Sequence, residues 1–133
     1  MRTVIILSLF SILLTNCVEV ETKQGFNVYY WTSTEDTAKN YLYIDDKKIG
    51  QLPYLAFYPE CGDEALKQTL MVSVESGKYK VVVKDESGRV KFSKKFKVHV
   101  SKSSTQISTS IGNKKWNSVI RQKGTCLVDE ISF

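Results

Sequence analysis

Tyr79-Lys80-Val81-Val82-Val83-Lys84 and Phe96-Lys97-Val98-His99-Val100 carry the clearest pattern in the chain. In the first, the odd positions are apolar and two of the three alternate positions are lysine. In the second, the even positions are apolar and the others basic. A period of two belongs to a strand with one face in a core and one in water. Between the two runs, Asp85-Glu86-Ser87-Gly88 is a turn signal, with Gly88 free to take a positive φ, so Lys78–Val100 is predicted to be a hairpin. Phe92 shares the apolar parity of Phe96, but Lys94 falls on the same face. A bulge or kink near Ser93–Lys95 is the expected way to turn that lysine out.

Outward from this hairpin, the same signal recurs as short β-branched and aromatic runs between clusters of Gly, Asp, Asn and Ser. It predicts strands at Phe26–Trp31, Tyr41–Asp45, Tyr54–Tyr58, Thr69–Glu75, Lys78–Lys84, Arg89–Val100, Thr105–Ser110 and Cys126–Ile131. Asp63–Lys67 has room for one helical turn, and no segment sustains a helical period. Short strands without helices to cover a parallel sheet argue for an antiparallel sandwich or small barrel, and an all-β, antiparallel β-sandwich over residues 26–133 is the expectation. A chain of 133 residues with 42% hydrophobic content is one domain's worth. That content also excludes a disordered tail and a multi-span membrane protein.

Residues 1–16 read as an export signal: Arg2, then an apolar run from Val4 to Leu14, then Thr15-Asn16. The run is far below the roughly 20 residues needed to span a bilayer. Leu13-Leu14-Thr15-Asn16-Cys17 resembles the lipobox of bacterial lipoproteins, with Asn16 in the relaxed form of Bacteroidota-type lipoproteins. The resemblance implies cleavage before Cys17 and lipidation of its thiol, with palmitate-like acyl chains as the membrane anchor. At roughly 0.8 kcal/mol per buried methylene, two or three chains hold a soluble domain stably. Residues 17–25 then form a polar tether. The expected address is the cell envelope, lipid-anchored at the outer membrane. Removal of residues 1–16 takes Arg2 away, which lowers the formal net charge from +5 to +4.

A second resemblance lies at residues 41–100. Tyr41-Leu42-Tyr43-Ile44-Asp45-Asp46-Lys47-Lys48-Ile49-Gly50-Gln51-Leu52-Pro53 and Ser76-Gly77-Lys78-Tyr79-Lys80-Val81-Val82-Val83 resemble the two signatures of PEGA domains. Asp46 stands where that family prefers glycine, and Leu52 replaces a threonine. The likeness implies a transthyretin-like sandwich acting as a non-catalytic envelope module, and it carries over no catalytic residue.

With Cys17 given to lipid, Cys61 and Cys126 remain, and in an exported protein they are expected to oxidise together. The catalytic inventory is thin. His99 is the only histidine, and its alternation sets it outward beside Lys97 with no carboxylate to orient it. Asp45-Asp46 falls in a predicted turn, and Glu60, Asp63 and Glu64 lie in a loop without calcium-binding spacing. No enzyme activity, metal or cofactor is expected.

Two binding features stand out. Nine lysines and arginines lie in Lys78–Lys102 against only Asp85 and Glu86, a stripe suited to an anionic partner or to keeping an edge strand soluble. Its aromatic residues have core parity and the protein is exported, so nucleic acid is not an expected partner. Nine of the fifteen aromatic residues lie in Phe26–Trp31, Tyr41–Tyr43 and Tyr54–Tyr58. Of these, Tyr29, Trp31, Tyr41 and Tyr43 are the candidate binding residues for an envelope glycan or protein. The leading expectation is a membrane-anchored, non-enzymatic binding or structural module. The alternative is an inhibitor or immunity-type lipoprotein that blocks an exported hydrolase through the loop at Cys61. Ligand and oligomeric state stay open.

Overall fold

A computed structural model describes residues 25–100 and 105–133. The expected signal peptide at 1–16, Cys17 and all of the expected tether except Gly25 lie outside the described residues. Nine strands follow in order: β1 (Gly25–Thr32), β2 (Asn40–Ile44), β3 (Lys47–Gln51), β4 (Leu70–Glu75), β5 (Gly77–Asp85), β6 (Val90–Val100), β7 (Thr105–Ile111), β8 (Asn117–Lys123) and β9 (Cys126–Ser132). A short 3₁₀ turn, Glu64–Gln68, precedes β4 and matches the helical turn expected there.

The strands form two sheets, β4-β1-β9-β8 and β3-β2-β5-β6-β7. All neighbours are antiparallel except β1 and β9, which run parallel. The fold is the expected all-β sandwich. Its core lies between the inner faces: Phe26, Val28, Tyr30, Leu127 and Ile131 from one sheet, Leu42, Val81, Val83, Phe92 and Phe96 from the other. Each such side chain contributes about 1.5–3 kcal/mol by leaving water.

The hairpin forms as its pattern dictates. Gly88 takes φ +84° and its N–H donates to the Asp85 carbonyl at 3.0 Å. Asp85 Oδ1 accepts from Ser87 N, Ser87 Oγ and Arg89 N, which locks the turn. The bulge, however, lies between Val83 and Lys84, opposite Phe92 and Val90, and not near Ser93–Lys95. Pairing runs unbroken through Lys80↔Lys95, Val81↔Lys94 and Val82↔Ser93. Lys94 therefore keeps its inward parity and is buried. It is tolerated there because Asp129, inward on β9 between Leu127 and Ile131, is buried opposite it and ion-pairs with it.

Three further differences have physical causes. The segment 54–58 is not a strand: it makes only the isolated parallel bridge Thr32↔Tyr54, and Pro53 and Pro59 flank it. It crosses the outer face of the four-stranded sheet, where Leu55 packs with Trp31 and Val128 in a second, smaller core. β3 forms despite its polar sequence because Asp45 and Asp46 take φ +48° and +66°, the left-handed pair of a two-residue hairpin turn. Its Gly50 lies under Leu70, whose Cδ1 sits 3.1 Å from where a Cβ would stand, so the edge strands β3 and β4 approach closely. β8, also polar, is the outer edge of its sheet, paired only with β9.

Candidate functional site

The outer face of the five-stranded sheet gathers most of the binding features. On β2, Leu42 and Ile44 are buried, so Tyr41 and Tyr43 point the other way and are half exposed. On β5 and β6, the alternation that buries Val81, Val83, Phe96 and Val98 sets Lys78, Lys80, Lys95 and Lys97 outward. Register then places Lys78 opposite Lys97 and Lys80 opposite Lys95, two successive like-charge pairs on adjacent strands. β5 and β6 are inner strands of the sheet. Their lysines therefore cover a face and do not protect an edge.

Lys78, Lys80, Lys95, Lys97, Ser108 and Ser110 line a groove of about 610 Å³ on this face. A smaller hollow of about 350 Å³ shares Lys97 and Ser108 and continues past His99 and Gln106. Among the described residues, none of the four groove lysines is ion-paired. The carboxylate at the rim is Asp45, whose Oδ1 accepts a hydrogen bond from Lys80 N at 2.9 Å. Tyr41 and Tyr43 lie on the same face outside the groove lining and are already cation-bound: Lys48 Nζ lies 3.9 Å from the Tyr41 ring centroid, and Lys84 Nζ 4.7 Å from that of Tyr43. Each contact is worth about 0.5–1 kcal/mol at an exposed position. Lysine and tyrosine thus share one cationic sheet face with apolar stacking area in it.

Tyr79 braces the end of this groove. Its hydroxyl donates to the Glu75 carbonyl and accepts from Glu75 N at 3.1 Å, closing the β4–β5 turn. Burial pushes this phenol above its ordinary pKa, so it stays neutral and adds no negative charge beside the lysines.

The other pair of candidate aromatics lies elsewhere. Tyr29 and Trp31 are on the outer face of the four-stranded sheet, so they do not join Tyr41 and Tyr43 in a single contact. Trp31 is 1% exposed. It is covered by the connection 52–69 and meets the Tyr58 ring edge-on at 5.4 Å. The Cys61–Cys126 disulfide pins that connection to β9, as expected from the cysteine count. Tyr29 is half-buried and lines a separate groove with Gly62, Leu66 and Met71. The same connection holds Tyr54, Phe57 and Tyr58 about half exposed.

The acidic residues serve turns. Asp63 Oδ2 accepts from Glu60 N at 3.1 Å, and Asp45 and Asp46 form the β2–β3 turn. Among the described residues, no three His, Cys, Asp or Glu side chains come together as a metal site would require. His99 is exposed beside Lys97. Sequence pattern alone did not single out Lys48, Lys94, Ser118 or Asp129 as functional. Asp129 could have been found by parity, since Leu127 and Ile131 flank it at the same alternation that traps Lys94 between Phe92 and Phe96. Comparison with protein-family models, curated proteins and solved structures returned no significant match for this chain.

Proposed function

We propose that this chain is a lipid-anchored, non-enzymatic binding module of the bacterial cell envelope, and that the outer face of its five-stranded sheet holds an anionic glycan. One observation carries the reading: the directly opposed pairs Lys78↔Lys97 and Lys80↔Lys95. Like charges directly opposite one another destabilise a sheet, by an amount on the scale of about 0.2–1 kcal/mol per cross-strand pair. An extended polyanion lying along the groove supplies the missing counter-charge. Ser108 and Ser110 offer hydroxyls to its polar groups, and Tyr41 and Tyr43 offer ring surface to its sugar faces. The signal sequence and Cys17 support the envelope address. The isolated His99, among lysines, supports a binding role over a catalytic one.

The test uses immobilised polygalacturonate as the anionic probe and dextran as the neutral control. The mature protein is expected to be retained by the first, to elute as salt rises, and to pass through the second. Equal behaviour on both matrices would reject the proposal. Anchoring is tested separately: intact mass of membrane-extracted protein should show acyl chains at Cys17 and none in a Cys17→Ser variant.

A second reading rests on the other sheet. The disulfide-pinned connection presents Tyr54, Phe57 and Tyr58, and a firm aromatic loop suits insertion into the cleft of an exported hydrolase. Co-purification with a lytic enzyme, lost on Phe57→Ala/Tyr58→Ala, would favour it.

A further inference from the structure

We propose that Lys94 and Asp129 condense to an intramolecular amide, an isopeptide bond that joins the two sheets through the centre of the core. Both side chains have 0% exposure, and they meet across the sandwich, Lys94 from β6 and Asp129 from β9. Lys94 Nζ donates directly to Asp129 Oδ2. It also donates to Ser118 Oγ at 2.7 Å, and Ser118 Oγ in turn donates to Asp129 Oδ1 at 2.7 Å. The three groups form a closed ring, with amine, hydroxyl and carboxyl each touching the other two.

This arrangement supplies what amide formation needs. The surroundings are apolar: Phe92 and Phe96 flank Lys94 on its own strand, with the Phe96 ring centroid 5.4 Å from Nζ and Trp116 packed on Phe92. An ion pair held there bears the desolvation cost of two charges. Moving one proton along the hydrogen bond gives free amine and carboxylic acid, which do not bear it. Burial pushes the Lys94 amine below the ordinary lysine value, with Asp129 opposing the shift. Tyr30, the register partner of Asp129 on β1, is fully buried. Burial, then the nearby Asp129 carboxylate, holds its phenol well above the usual value, so it introduces no competing charge. Holding the two reactants together is worth effective molarities on the order of 10⁵–10⁸ M when they are aligned.

The step balances without any co-reactant. The Nζ lone pair attacks Cγ of the Asp129 acid. The acid carries its proton on Oδ1, delivered through Ser118 Oγ, and attack turns Oδ2 into an oxyanion. A second proton from the nitrogen follows through Ser118 Oγ to Oδ1, Oδ2 re-forms the carbonyl as the Cγ–Oδ1 bond breaks, and Oδ1 leaves as water. Ser118 is only half-buried and stands on the edge strand β8, so the water has a short way out. Nothing is oxidised or reduced. The bond would cross-link residues 35 apart in sequence, with Lys94 inside the loop that the Cys61–Cys126 disulfide closes and Asp129 just beyond it.

The test is the intact mass of the folded, mature wild-type protein after reduction and denaturation, both freshly made and after prolonged warm incubation. The expected result is a mass lower by about 18 Da than that of the reduced mature sequence with its Cys17 acyl chains, one lost water. Tandem spectra of a digest should map it to a branched peptide joining the segments that contain Lys94 and Asp129. The Lys94→Met variant should show no loss. A full, uncondensed mass after incubation would overturn the proposal. So would a loss of water mapped to any other residue, such as a cyclised aspartate. The wild-type mass and its mapped branch point decide between these outcomes even where the Lys94→Met protein fails to fold.

Discussion

Replacing Cys61 and Cys126 together by alanine removes a cross-link between residues 65 apart in sequence. Closing a loop of that length lowers the entropy of the unfolded chain by an amount worth about 4 kcal/mol at 25 °C. The bond also holds the connection over the small outer core, where Cys61 and Cys126 pack with Trp31, Leu55 and Val128. Its removal should thus act in two places: the folded domain becomes less stable as a whole, and the cover over Trp31 opens first. For a domain of this size each kcal/mol moves Tm by roughly 4 °C, so the double variant should melt about 15 °C lower. Circular dichroism follows the strands. In a Trp116→Phe background, fluorescence follows Trp31, the other tryptophan of the chain. The Trp31 emission should shift to the red below the temperature at which strand signal is lost. A fall in Tm of under about 4 °C, roughly 1 kcal/mol, with unchanged emission would show that the disulfide is not what stabilises the domain and its outer cover. It would mean that Leu55 and the backbone bonds of Thr32 to Pro53 and Leu55 hold the connection without the disulfide.

Two other predictions concern turns. Asp46 has φ +66° and no hydrogen bond that requires its side chain there, whereas Asp45 is fixed by Lys80 N. Asp46→Gly should relieve left-handed crowding and raise Tm by a few degrees, on the order of 1 kcal/mol; calorimetry showing a decrease would contradict the turn assignment. Hydrogen bonds from the Ser87 side chain, and then from Arg89 N, hold the Asp85 carboxyl below its usual pKa. A carboxyl whose folded pKa is depressed contributes stability above its unfolded value and loses it as pH falls through the folded one. Asp85→Ala should therefore lower Tm at neutral pH, and the gap from wild type should close on acidification through and below the ordinary carboxylate range. A gap independent of pH would show that the ionised carboxylate is not what the turn uses.

The sandwich was legible because period-two alternation survives wherever a strand has one wet face, as in β2, β5 and β6. Alternation failed at the edges. β3 and β8 each bring only one isoleucine to the core, Ile49 and Ile120, among polar neighbours, and turn geometry and partners form them, which the hydrophobic pattern does not record. Tyr54–Tyr58 failed in the opposite sense, since an aromatic run can cover a sheet without pairing with it. Lys94 is the instructive residue: its parity was right, and the inserted bulge was a remedy for a conflict that Asp129 resolves through space. The cationic face was half legible. The lysines and Tyr41 and Tyr43 could be named from alternation, but only register brings them to one surface and sends Tyr29 and Trp31 to the other. Lys48, on a strand the pattern did not show, could not be seen to reach Tyr41.

On the function proposed above, the opposed lysines are kept for an anionic ligand at some expense to the sheet. Lys80→Glu tests it most directly, because it replaces the Lys80↔Lys95 repulsion with an attractive cross-strand pair. The measurement is the affinity of this variant for polygalacturonate by isothermal titration, with Tm as the check on folding. Affinity should fall by roughly tenfold, about 1.4 kcal/mol, while Tm stays level or rises, since an opposite-charge pair contributes about 0.2–1 kcal/mol. Undiminished affinity in a folded Lys80→Glu protein would show that the opposed lysines do not hold the polyanion.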